Sequence, residues 1–170
     1  MGLATAFGDG NGRVGRLLLA AMVEEWCQLS SQWLYMSDFF DRNKDSYIDL
    51  LLAVSTDGRW EDWIEFCLSG VVEQAHDTMM RCERLIALNR DFHERVSEVR
   101  GSVRLARMVD QLFISPVVIA AAAKRTYNVT YPTVRSDIDK LVRLGILVEI
   151  EDAGKKSYYS PPIYEATFAD

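Results

Sequence analysis

From Gly12 to about Gln28 the apolar residues recur every three or four positions, the period of an α-helix. Val14, Leu17, Leu18, Leu19, Ala21, Met22 and Trp26 occupy most of its circumference, which predicts a helix at the centre of a bundle. Two shorter helical stretches follow between Gln32 and Val54, broken at Asp41-Arg42-Asn43, and Ser55-Thr56-Asp57-Gly58 reads as a loop. Beginning near Arg59, Trp60, Ile64, Cys67, Val71, Ala75, Met79, Cys82 and Ile86 fall at steps of three and four. That spacing predicts one amphipathic helix of more than thirty residues. Nothing in residues 1–100 alternates as a strand would.

The texture changes after Gly101. Residues 102–113 read as a short helix, Ser115-Pro116 opens another through about Arg125, residues 128–131 form a turn, and Pro132 to Leu144 is a third helix with Gly145 placed as its C-cap. Ile-Leu-Val-Glu-Ile-Glu-Asp and Ser-Tyr-Tyr-Ser flank an Ala-Gly-Lys-Lys turn, which predicts a two-stranded β-hairpin. Three helices and a hairpin in that order suit a winged helix-turn-helix.

Charge sharpens the division. The chain has 170 residues and a formal charge of −6. Residues 1–100 hold 10 Lys and Arg against 17 Asp and Glu, a net of −7, whereas residues 101–170 hold 9 against 8, a net of +1. A boundary at Arg100-Gly101 follows, giving domains 1–100 and 101–170 in a mainly α protein. No apolar run reaches the length of a membrane span, and no basic region precedes an apolar stretch and cleavage site, so the cytoplasm is the expected location. Cys27, Cys67 and Cys82 lack metal-ligand spacing and read as buried free thiols.

The densest chemistry lies in Phe-Gly-Asp-Gly-Asn-Gly-Arg-Val-Gly-Arg, residues 7–16. Glycines leading into a helix let backbone N–H groups approach a phosphate without an intervening Cβ. Arg13 and Arg16, three apart, add cationic forks, and Asp9 is suited to a magnesium ion that bridges phosphates. No Lys-Ser/Thr follows the last glycine, so this is not a Walker A loop. Composition alone equally allows a glycine-rich cap with two solvated arginines.

The spacing resembles the signature of the Fic family, His-x-Phe-x-Asp/Glu-Gly-Asn-Gly-Arg-x-x-Arg, at every specified position except the first. Residues 33–40 and 58–68 also look like the later helices of that family, so the resemblance covers about residues 5–96. It implies an all-helical domain that transfers AMP from ATP, with magnesium, to a hydroxyl of a target protein. Asp9 would bind magnesium; Gly10, Asn11 and Gly12 would form the anion hole; Arg13 and Arg16 would hold phosphates; Phe7 would anchor the loop.

Two departures alter that expectation. Thr5 stands where the family has the histidine that accepts the target's proton, and threonine is no general base near neutral pH. Of the two histidines, His76 and His93 fall on the long helix and read as ordinary helical residues. The family's signature also lies near the middle of its domain, whereas six residues precede Phe7 here. The first half of a Fic fold is thus expected to be absent and AMP transfer impaired. The apolar helix 12–28 would then need cover, which predicts a homodimer or higher homo-oligomer formed through it.

Residues 115–147 resemble the winged helix-turn-helix often appended to Fic proteins. Asn128 would supply the turn, and Val134, Ile138, Leu141 and Val142 the buried face of the recognition helix. Thr130, Tyr131, Thr133, Arg135, Ser136 and Lys140 would face DNA, with Lys155 and Lys156 on the wing. Ala123 stands five residues before Asn128 instead of four, and Asp137 and Asp139 add negative charge to the same helix. The expectations are an impaired Fic-type AMP transferase, a DNA-binding regulator with the Fic portion as an assembly module, or a remnant that only assembles.

Overall fold

The computed structural model describes residues 11–28, 35–151 and 155–168, in which eight helices and three strands form two compact units, Met1–Met80 and Arg81–Asp170. The division falls inside one long helix, Trp60–Ser97, upstream of the charge shift at Arg100.

In the first unit, α1 spans Asn11–Trp26, α2 Met36–Arg42 and α3 Lys44–Asp57, and α4, Trp60–Ser97, begins. Asn43 separates α2 from α3: both its backbone N–H and its side-chain amide donate to the Phe39 carbonyl, at 3.0 and 2.9 Å. The stretch 55–57, expected as loop, continues α3, with the Ser55 and Thr56 hydroxyls donating back to the Leu51 and Leu52 carbonyls. Gly58 alone ends the helix, at φ 69°.

Met36, Phe39 and Phe40 form the small core of this unit, joined by Leu19, Tyr47, Phe66, Cys67 and Val71. Its rings interlock, with Phe39 and Phe66 centroids 5.0 Å apart and Tyr47 edge-on to Trp63 at 5.4 Å. Gly70 is buried beneath Phe39 and Met36. Arg42 caps the cluster with Asp38 and Glu73, each at 3.0 Å, and Asp77 at 3.4 Å.

The second unit holds the end of α4, then α5 (Ser102–Leu112), β1 (Val117–Ile119), α6 (Ala120–Thr126), α7 (Tyr131–Arg143), β2 (Val148–Glu149), β3 (Ser157–Tyr159) and α8 (Pro161–Phe168). The sheet order is β1-β3-β2, antiparallel throughout, with Val117 opposite Tyr159 and Tyr159 opposite Val148. The expected two-stranded hairpin is therefore a three-stranded sheet. The helix expected from Ser115-Pro116 begins only at Ala120, since Val117, Val118 and Ile119 pair with β3 instead. β-Branched side chains favour that choice, and the unbroken run into four alanines hides it from periodicity.

The core of this unit runs from Phe92 and Val96 through Leu105, Met108, Val109 and Leu112 to Ile138, Leu141, Ile146, Leu147 and Tyr158. Gly145, at φ 70°, closes α7: Ile146 N–H reaches the Leu141 carbonyl at 2.9 Å and Gly145 N–H the Val142 carbonyl at 3.0 Å. This Schellman closure carries Ile146 and Leu147 directly into the core. Cys27, expected buried, is exposed, and Cys67 and Cys82 are half-buried; all three are free thiols. The exposed position of Cys27 follows from its place one residue beyond the end of α1.

Candidate nucleic-acid interface

α6 and α7 are joined by a short turn in which Asn128 takes φ 48°, a conformation that asparagine tolerates better than most residues. Val129 N–H bonds to the Lys124 carbonyl at 3.3 Å, and Thr130, extended at φ −72° and ψ 155°, precedes α7 with Pro132 in its first turn. Ala123, five residues before Asn128, is buried in the core that α7 joins. The longer spacing still leaves Ala123 in that core.

α7 turns Val134, Ile138 and Leu141 inward, as the apolar pattern requires, but Val142 is 39% exposed and lies outside that face. The fourth inward position belongs to Asp137, 1% exposed. Arg104 of α5 donates to it through Nε and through Nη2, the latter at 3.1 Å, and this bond pushes the Arg104 guanidinium up from its ordinary value. Lys140 points the same way: its Nζ donates to the Arg100 carbonyl at 3.0 Å and lies 3.5 Å from Asp137. Of the DNA-facing candidates, Lys140 is thus held against the body of the unit, and Asp137 does not add charge to the outer face.

The remaining candidates share the outer face and the start of α7. Thr130 and Tyr131 are exposed, Thr133 shares a hydroxyl hydrogen bond with Thr130 at 2.8 Å, and Ser136 is exposed. Arg135 is half-buried, with Asp139 one turn on at 3.6 Å. Just ahead of β3, Lys155 is exposed and Lys156 bonds to Glu149 of β2. The pairing of Arg104 with Asp137 was not read from the sequence; the signal for the inward place of Asp137 was its position on the stripe of Val134, Ile138 and Leu141.

In the first unit, Thr5, Phe7, Asp9 and Gly10 lie outside the described residues. Asn11 and Gly12 are the first described residues of α1, and a Cβ at Gly12 would meet nothing within 4 Å among the described residues. Arg13 is exposed, and Arg16 lies 3.5 Å from Asp41. Val14, Leu17, Leu18 and Trp26 are 44, 69, 60 and 69% exposed. His76 is exposed, and His93 contacts Asp110 at 2.8 Å in the second unit. Among the described residues no group of three His, Cys, Asp or Glu is arranged for a metal, and no helix is long and apolar enough to cross a membrane.

No protein-family model matches the chain.

Proposed function

We propose that the second unit is a winged helix-turn-helix that binds DNA through the outer face of α7, with a Fic-like first unit serving as an assembly module. The observation that carries this reading is the element order α5-β1-α6-turn-α7-β2-β3 on a sheet ordered β1-β3-β2. In a motif of that order the helix in the place of α7 lies in the major groove and the wing meets the backbone. Tyr131, Thr133, Arg135 and Ser136 would meet base edges and phosphates, and Lys155 and Lys156 the backbone beside them.

Electrophoretic mobility or fluorescence anisotropy with mixed-sequence duplex DNA tests the reading. Binding should weaken steeply with salt, and replacing Lys155 and Lys156 together with alanine should lessen the slope by about 2. Absence of retardation at low salt would reject it. Assembly through α1 would place two such units on paired half-sites, which is the form in which these motifs commonly recognise operators.

A second reading is AMP transfer from magnesium-ATP to a target protein's hydroxyl. It is favoured by the likeness of residues 7–16 to the Fic signature, of which Asn11, Gly12 and Arg13 fall within α1 as described, Asn11–Trp26. Those residues suit phosphate; Asp9 would carry the magnesium. Labelled ATP with the chain and with Thr5→His separates the causes of impairment. Label transfer by Thr5→His alone would trace the impairment to the missing base, and transfer by neither would reject the reading.

A further inference from the structure

Between the start of α5 and the α6–α7 turn lies an open cleft of about 800 Å³ lined by Gly101, Val103, Arg104, Arg107, Thr126, Tyr127, Asn128 and Val129. Its charge is unusual for this acidic chain. Arg104 and Arg107 stand one helical turn apart, and no acidic side chain lines the cleft. Arg104 spends Nε and Nη2 on Asp137, leaving Nη1 out of that pair. Arg107 is exposed, and its side chain makes no hydrogen bond or ion pair among the described residues.

The rest of the lining is apolar or neutral. Val103 is 73% exposed, and Val129 and the Tyr127 ring are half-buried. Burial pushes the Tyr127 phenol up, so it remains an uncharged O–H. One free guanidinium beside apolar walls matches a ligand with one negative charge and an apolar body.

We infer that this cleft binds a small organic carboxylate, its anionic end on Arg107 and its apolar body against Val103, Tyr127 and Val129. A guanidinium meets a carboxylate through two parallel N–H donors, which gives orientation as well as affinity. An inorganic phosphate would leave the valines wet, and a neutral aromatic would leave Arg107 unpaired. The inference stands apart from the DNA reading, since it concerns a ligand bound by the free protein.

Benzoate is the probe, titrated into the ¹⁵N-labelled full chain while amide resonances of Gly101, Val103, Arg107, Tyr127 and Val129 are followed. Those amides should shift together and saturably. Benzyl alcohol and inorganic phosphate should each bind at least about tenfold more weakly, as should benzoate to Arg107→Gln, a surface change that leaves the fold intact. Arg107→Lys should recover part of the loss. Absence of concerted shifts, shifts indifferent to Arg107→Gln, or phosphate binding as well as benzoate would each overturn the inference. So would an Arg107→Gln variant that weakens duplex binding while the parent ignores benzoate, which would assign Arg107 to the DNA backbone.

Discussion

Arg104 holds Asp137 through two donors, although Asp137 occupies a position on α7 that the apolar stripe would otherwise give to a hydrophobic side chain. The pair ties α5 to α7 and orients the helix whose outer face is proposed to meet DNA. Removing one partner strands a buried charge, a change that typically costs about 3–5 kcal/mol. Arg104→Ala should fall at the lower end of that range, because Lys140 still lies 3.5 Å from the carboxylate. Denaturant unfolding followed by circular dichroism measures it. Replacing both partners at once, as Arg104→Met with Asp137→Leu, should cost far less, and an equal loss in the double variant would refute a charge-based account.

Gly70 is a second position where one side chain decides packing. A Cβ there would press into the Phe39 ring, whose Cε1 is 2.6 Å from the ideal position, and meet Met36 Cε at 3.0 Å. Both belong to the small core of the first unit, so neither has free space to enter. Gly70→Ala gains helix propensity but should be destabilising overall, by about 1–3 kcal/mol. Thermal unfolding of the variant, with Phe39→Leu as a relieving second change, checks the cause. Partial recovery in the double variant is the expected result.

These two positions also show what the residue pattern carries. The long α4, the inward residues Val134, Ile138 and Leu141, the Asn128 turn and the Gly145 closure were all legible, because each rests on local periodicity or on one residue's backbone tolerance. The strand β1 was not, since its partner β3 lies far along the chain and Val117-Val118-Ile119 runs without a polar break into α6. Val142 and Lys140 illustrate the same limit at the candidate interface. Their faces depend on where α5 packs, and Asp137 takes the inward place by virtue of Arg104, a partner 33 residues away. α8 was not read from the sequence; Pro161 and Pro162 stand at its first two positions, where proline suits the opening of a helix.

Burial separates the cysteines by reactivity. It pushes the Cys67 thiol up from 9.0 to about 11, whereas Cys27 is exposed. Since the thiolate is the nucleophile, a disulfide reagent at pH 8 should modify Cys27 first and Cys67 only on unfolding. The same shift has a sign in stability. The folded state keeps the Cys67 proton where the unfolded chain releases it, so the contribution is complete below about pH 9 and is lost as pH rises toward 11. Cys67→Ala should flatten that part of the stability curve relative to the parent; parallel curves would show that Cys67 is not the source.

α1 presents the clearest demand for a partner. Val14, Leu17, Leu18 and Trp26 are each 44% exposed or more, on a helix whose apolar residues surround most of its axis. Fully burying one such side chain is worth about 1.5–3 kcal/mol, so covering several offsets much of the entropy lost on association. A second copy supplies the same apolar surface, and a two-fold contact would bring Leu17 and Leu18 against their equivalents. Sedimentation equilibrium should therefore give a multiple of the 19.3 kDa chain mass. Leu17→Glu with Leu18→Glu should return it to one chain without loss of helical content, because both residues already face away from the core of their own unit. A single-chain mass for the parent would remove α1 as an assembly surface, and with it the expectation of paired half-sites.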